Sequence, residues 1–166
     1  MNAKEKPWYP VVYMFVLTAV LSAVLIGFSN ATRDRVAAGQ RQAFERAVLE
    51  ALAVPTPTRM SAVELTRIYQ QCIREPDNDS AGAYRYVRDG QLAGYALPIE
   101  GKGFWDVIAG VLGLGPDGAT VLGISFYQQS ETPGLGAEIV KPEFRGQFPG
   151  KRLADAAPAL GIRRPG

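Results

Sequence analysis

The chain has 166 residues, 47% hydrophobic and 20% charged, with a formal net charge of +2. That is enough for one modest domain plus an appendage, and it gives no electrostatic reason to bind nucleic acid; no RNP, zinc-finger or basic-region pattern is present either. The chain has no histidine and a single cysteine, Cys72, which excludes Ser-His-Asp and Cys-His catalysis, imidazole-based metal sites and any intrachain disulfide.

Val11 to Phe28 reads VVYMFVLTAVLSAVLIGF, without charge or proline. As a helix this run is roughly 27 Å long, close to the hydrocarbon core of a bilayer at ~30 Å. Trp8, Tyr9 and Tyr13 lie toward its start, where amphipathic rings favour a membrane interface. A cleaved signal peptide would need a shorter apolar core and a small-x-small site after it; Ser29-Asn30-Ala31 fits that only loosely. An uncleaved anchor is the better reading, with the amino terminus cytoplasmic and the remainder outside. Lys4 and Lys6 before the run and Arg33 and Arg35 after it leave the charge asymmetry weak.

Ala31 to Leu52 keeps a helical rhythm. Val36, Ala43, Ala47, Val48 and Ala51 fall near one face with Phe44 at its edge, while Arg33, Asp34, Arg41, Glu45 and Arg46 are expected in solvent. Val54-Pro55-Thr56-Pro57-Thr58 ends it, because proline cannot continue a helix. Ser61-Ala62-Val63-Glu64 is a capping box. Leu65, Ile68, Tyr69 and Cys72 follow on one apolar face, so Cys72 reads as a small buried hydrophobe rather than a redox thiol. Pro76-Asp77-Asn78-Asp79-Ser80 is a polar loop without the spacing of a calcium site.

From Ala83 the period changes to two. Tyr84, Tyr86 and Arg88 alternate with Arg85 and Val87, Asp89-Gly90 signals a hairpin, and Gln91 to Leu97 returns. Pro98 to Gly103 reads as a loop, Val107 to Leu114 as a third strand, and Pro116-Asp117-Gly118 as a turn. Val121 to Tyr127 is a fourth strand with Leu122, Ile124 and Phe126 on one face. The fold class is α+β: a single amino-terminal transmembrane helix, then an antiparallel sheet flanked by helices.

The fourth strand runs into Ser130-Glu131-Thr132-Pro133-Gly134-Leu135-Gly136. Pro133 is stiff, Gly134 and Gly136 are bare, and Leu135 lies between them, which suits gripping a flat ligand; an ordinary turn would use the same residues. Phe104 and Trp105 read more readily as core, with Trp105 also a candidate neighbour of such a ligand. Lys102 reads as a solvated loop lysine.

Gly94-Tyr95, Gly101-Lys102-Gly103-Phe104-Trp105, Pro116-Asp117-Gly118, Ile124-Ser125-Phe126-Tyr127 and Glu131-Thr132-Pro133-Gly134-Leu135-Gly136 occur in the order seen in FMN-binding domains of respiratory membrane complexes. Over roughly Ala83 to Lys151 the chain resembles the family of FMN-binding C-type subunits of sodium-translocating NADH:quinone oxidoreductases. The paralogous family of G-type subunits of Rnf electron-transport complexes is a close second. The resemblance implies a single-pass subunit of the bacterial inner membrane with its domain on the periplasmic side. Such a subunit relays single electrons through FMN between its neighbours, has no substrate chemistry of its own, and has those neighbouring subunits and the lipid bilayer as partners. On this reading residues 1–30 are the cytoplasmic tip and anchor, 31–80 a helical stalk with packing helices, and 81–166 a partial FMN-binding domain.

The resemblance further implies that Ser130, Glu131, Thr132, Pro133, Gly134, Leu135, Gly136 and Trp105 lie at the flavin. Thr132 and Ser130 would donate to it, and Glu131 would bond backbone amides or ribityl hydroxyls, since a carboxylate disfavours a reduced anionic flavin. The family joins its FMN to a threonine in a Ser-Gly-Ala-Thr motif placed after the ETPGLG loop. Gly118-Ala119-Thr120 is only a partial string and precedes that loop, so it reads as a turn entering a strand. With no such motif after the loop, the sequence is expected to be a fragment or a short form. A non-redox scaffold without bound flavin is the alternative from a different class.

Overall fold

A computed structural model describes residues 8–57, 60–77 and 82–153. Lys4, Lys6, Thr58, the end of the polar loop (78–80) and the carboxy-terminal residues from 154 lie outside these. The chain forms two units, residues 1–40 and 41–166.

Helix α1 runs from Tyr9 to Ala51 without a break, so the apolar run and the expected stalk are one helix. Its apolar stretch has a mean hydropathy of 2.5, long and apolar enough to cross a membrane, and none of it is buried within the protein. Val36 is 55% exposed, not part of the expected packing face.

In the second unit the end of α1 becomes core. Ala47, Val48, Leu49, Ala51 and Leu52 are buried together with Leu65, Tyr69, Ile73, Tyr86, Ala96 and Val111. Phe44 packs its ring against Tyr84 at 5.3 Å and edge-on to Tyr127 at 5.4 Å. Glu45 departs from the expected solvated position and is 1% exposed. A carboxylate can be buried only if its oxygens are bonded, and both are: Arg41 Nε donates to Oε1 at 3.0 Å and Thr66 Oγ1 to Oε2 at 2.6 Å. Thr66 belongs to α2 (Ala62–Cys72), whose capping box forms as the sequence predicts, with Ser61 and Glu64 bonded reciprocally. Cys72 is half-buried against the same core.

The sheet is a five-stranded antiparallel meander in chain order. Its strands are β1 (Ile73–Arg74), β2 (Tyr84–Arg88), β3 (Gln91–Lys102), β4 (Val107–Leu114) and β5 (Val121–Gln128). The two-residue β1, directly after α2, is not foreseen from sequence. Asp89 and Gly90 take φ of 53° and 78° in the tight β2–β3 turn, as a primed hairpin turn requires.

Two expectations for the sheet are corrected. Pro98–Lys102 is not a loop but the second half of β3, paired with Val107–Val111 of β4. The β2 pairing stops at Ala96, so Pro98 sits where β3 is an edge strand, the place in a sheet that tolerates a missing N–H. Leu122 does not share a face with Ile124 and Phe126: the register shifts between Gly113 and Leu114, and the resulting bulge at Leu122 turns it toward α1's core. Ile124 and Phe126 pack with Leu112, Leu114, Val121, Phe148 and Leu153 on the opposite face.

Glycine sets how closely α1 approaches the sheet. A Cβ on Gly113 would collide with the Ala51 carbonyl, and one on Gly123 would lie 2.8 Å from it. Ser125 Oγ donates to Glu50 Oε2 at 2.9 Å, and Arg145 Nη1 donates to the same oxygen at 2.7 Å. These bonds tie α1, β5 and the short helix α3 (Pro142–Arg145) together.

Candidate functional site

Strands β3 and β4 join through a tight turn, with Gly103 N–H donating to the Asp106 carbonyl at 2.9 Å. Phe104 and Trp105 stand at its tip, 81% and 67% exposed. The core reading of both is therefore wrong: a hairpin tip points away from either face of its sheet, however apolar its residues. Their rings meet edge-on at 5.0 Å.

The 130–136 segment lies against this tip. Ser130 is exposed, whereas Glu131 is buried, 8% exposed. Glu131 Oε1 accepts the backbone N–H of Phe104 at 2.9 Å and of Trp105 at 3.2 Å. The Glu131 N–H in turn donates to Gln129 Oε1 at 2.7 Å. Two glycines leave room for the carboxylate. A Cβ on Gly103 would fall on Glu131 Oε1, and one on Gly136 would lie 2.6 Å from Oε2. Gly136 thus makes space for a side chain of its own protein, which its sequence reading as a bare backbone facing a ligand does not anticipate.

Thr132 links the two loops a second time: Trp105 Nε1–H donates to Thr132 Oγ1 at 2.9 Å. The Thr132 hydroxyl accepts in this bond and has no acceptor for its own proton among the described residues. Thr132, Pro133, Gly134 and Leu135 form a turn closed by Leu135 N–H to the Thr132 carbonyl at 3.1 Å. Gly134 takes φ of 79°, a position that proline followed by glycine suits and a side chain would strain. A Cβ at Gly134 would have nothing within 4 Å. Leu135 is 74% exposed.

The sequence-predicted residues therefore gather at one place with different roles. Glu131 and Gly136 build the junction, Trp105 and Thr132 bridge it, and Leu135 and Gly134 lie open. Phe104 and Gly103 belong there as well; the Gly-Lys-Gly-Phe-Trp spacing is the signal for them. A groove of about 380 Å³ lined by Glu100, Gly101, Lys102, Trp105, Asp106 and Val107 runs beside the tip. A second groove, about 480 Å³, is lined by Glu50, Leu122 and Arg145 among others and shares no residue with the two loops.

Thr120 lies in the β4–β5 turn. Its hydroxyl donates to Asp117 Oδ2 at 2.7 Å, and Asp117 Oδ1 accepts the N–H groups of Thr120 and Ala119 at 3.0 and 3.1 Å. These bonds, the Thr120 amide foremost, hold the Asp117 carboxyl down to a pKa of about 2. Among the described residues no cluster of His, Cys, Asp or Glu could hold a metal ion.

Exposed Phe104, Trp105 and Leu135, an open glycine backbone and a hydroxyl donor suit a flat, largely apolar ring system with polar edges. Residues 103–159, which begin at this turn, match the family described as FMN-binding domain. The fold and the site agree with that match: this stretch is similar to FMN-binding domains.

Among curated proteins the chain is similar to the C-type subunits of the Na(+)-translocating NADH-quinone reductase. It is 48% identical over 73 residues to that of Pasteurella multocida, covering 44% of this chain and 28% of the relative. It is 38% identical over 103 residues to that of Neisseria meningitidis serogroup A, covering 55% of this chain and 40% of the relative. The solved structure of the Parabacteroides distasonis counterpart superposes with a TM-score of 0.60 at 26% identity, covering 73% of this chain and 70% of that one. Shewanella oneidensis NqrC, at 21% identity and a TM-score of 0.59, covers 70% and 72% and shows the shared fold. The resemblance to this family of reductase subunits and the α+β fold class therefore stand. The chain spans less than half the length of these curated relatives, 28% and 40%.

Proposed function

We propose that this chain is a membrane-anchored flavoprotein subunit. It relays electrons through FMN within a Na(+)-translocating NADH:quinone oxidoreductase. The observation that carries the reading is the Glu131-bonded pair of loops at the start of the FMN-binding match, with Phe104, Trp105 and Leu135 exposed around it. When bound, FMN supplies redox chemistry that no side chain here can perform. The protein's part is to place it. Leu135 would offer an apolar contact for the ring system, Thr132 would donate its free hydroxyl proton to a polar edge, and Gly134 would let the ligand come close to the backbone. Trp105 is held by its indole N–H at the same rim. The buried Glu131 carboxylate places Oε1 on the backbone amides of Phe104 and Trp105.

The apolar part of α1 is the anchor, in contact with the lipid bilayer. The domain works on the periplasmic side of the bacterial inner membrane, beside the other subunits of the complex. The FMN-binding match speaks against the scaffold alternative. The test is the full chain purified in detergent and titrated with FMN. One flavin bound per chain with quenching of Trp105 emission is expected, together with weaker binding by Leu135→Ala. A wild-type chain that neither binds FMN nor is isolated with flavin sinks the reading.

A further inference from the structure

We infer that Glu131 is the positioning residue of the site: its carboxylate fixes where Trp105 and the Thr132 hydroxyl stand, and flavin affinity depends on that fixing. The inference rests on the FMN reading above. It starts from an asymmetry. The residues offered to a ligand are exposed, and the residue that holds them is buried. Glu131 is the one acidic side chain of either loop that is buried, and Oε1 serves two consecutive amides of the opposite loop at 2.9 and 3.2 Å.

The Gly103–Asp106 bond closes the turn itself, and the Phe104 amide has no acceptor other than Glu131 among the described residues. Charge-assisted bonds from a carboxylate to backbone N–H groups are short and strong. Gly103 and Gly136 enclose the carboxylate from both sides, too tightly for a Cβ. The indole N–H is consequently delivered to Thr132 Oγ1 at 2.9 Å. That bond occupies one oxygen lone pair and leaves the Thr132 proton, which has no acceptor among the described residues, available to a ligand. The chain of control runs from a buried carboxylate, through the amide of Trp105, to a hydroxyl proton at the rim.

The chain has two tryptophans. In this 166-residue chain carrying Trp8→Phe, emission therefore reports Trp105 alone, and free FMN is the probe. In Glu131→Gln, one acceptor oxygen loses its charge and an amide group faces N–H donors. We expect Trp105 emission to shift and acrylamide quenching to rise without flavin, and FMN affinity to fall by about tenfold or more. The far-ultraviolet spectrum should stay native. A purely structural role for Glu131 would leave the emission of the folded variant unchanged.

Amide hydrogen exchange on the unmutated chain provides a measurement that no folding failure can spoil. The Phe104 and Trp105 amides should be protected although the tip is exposed. Unprotected amides, or a Glu131→Gln protein that matches its parent in emission and FMN affinity, overturn the inference while the FMN reading stands. A parent chain that binds no FMN at up to millimolar concentration overturns both.

Discussion

Asp117 shows how much of a turn one carboxylate can organise. It takes up the N–H groups of Ala119 and Thr120 and the Thr120 hydroxyl, and its pKa falls to about 2. A carboxyl whose folded pKa lies below its unfolded value stabilises the fold above the unfolded value, ~3.9. That contribution is lost as pH falls through the folded value. The stability gap between the wild type and Asp117→Asn should therefore be full at about pH 5 and close as pH falls from about 4 toward about 2. Urea titrations across that range measure it; a gap independent of pH would refute the assignment. At this scale the sequence is legible where one residue type answers one backbone need, as in Asp89-Gly90, Pro133-Gly134 and Ser61 with Glu64. It misleads where partners come from afar. Glu45 reads as a solvated charge because Thr66, the hydroxyl that donates to it, lies on another element, and nothing within a helical period announces it.

At the scale of elements, α2 carries its stabilisation at one end. Its amino-terminal turn is closed by Ser61 and Glu64, with the Ser61 N–H donating to Glu64 Oε2 at 3.0 Å. The Glu64 carboxyl is correspondingly held below its usual range, chiefly by the Ser61 amide. Ser61→Ala should cost about 1 kcal/mol, read as a lower thermal midpoint with helix content retained in the native state. Helices α1 and α2 and most strands are readable from periodicity and punctuation, whereas the short α3 is not. The strand through Pro98 is not, because proline argues against a strand unless the strand is known to lie at an edge. The bulge at Leu122 is not either. A register shift between two strands has no signature in either strand alone, yet it decides which side chains meet α1. The hairpin tip is the third case. Phe104 and Trp105 look like core by type, and only the turn at Gly103–Asp106 shows that they face outward.

At the scale of the whole molecule, α1 serves two environments in a single helix. Its apolar run is unburied by protein, and its last two turns are core. The expressed chain should sediment with membranes and remain there through an alkaline wash, as a hydrophobic span of this length dictates. Release into the wash would show that the run does not cross the bilayer. The gross plan is visible in the sequence because a charge-free run of this kind and a change of period to two are both long-range signals. How the sheet is covered is not visible, because it depends on the bare surfaces of Gly113 and Gly123.

The chain-order meander also bears on how the protein reaches its native state. Each strand pairs with the one just synthesised, so short connections suffice to close the sheet and little chain entropy is lost in doing so. The cover is the opposite case. Glu50 meets Ser125 across 75 residues and Arg145 across 95. The helix end leaves the ribosome first and must wait, apolar face open, for the strands that will shield it. Sheet assembly should therefore be fast and local, and docking of the finished sheet onto residues 44–52 should set the pace. Variants that weaken this docking, unlike those in the turns, will lengthen the interval during which the helix end is exposed to other chains.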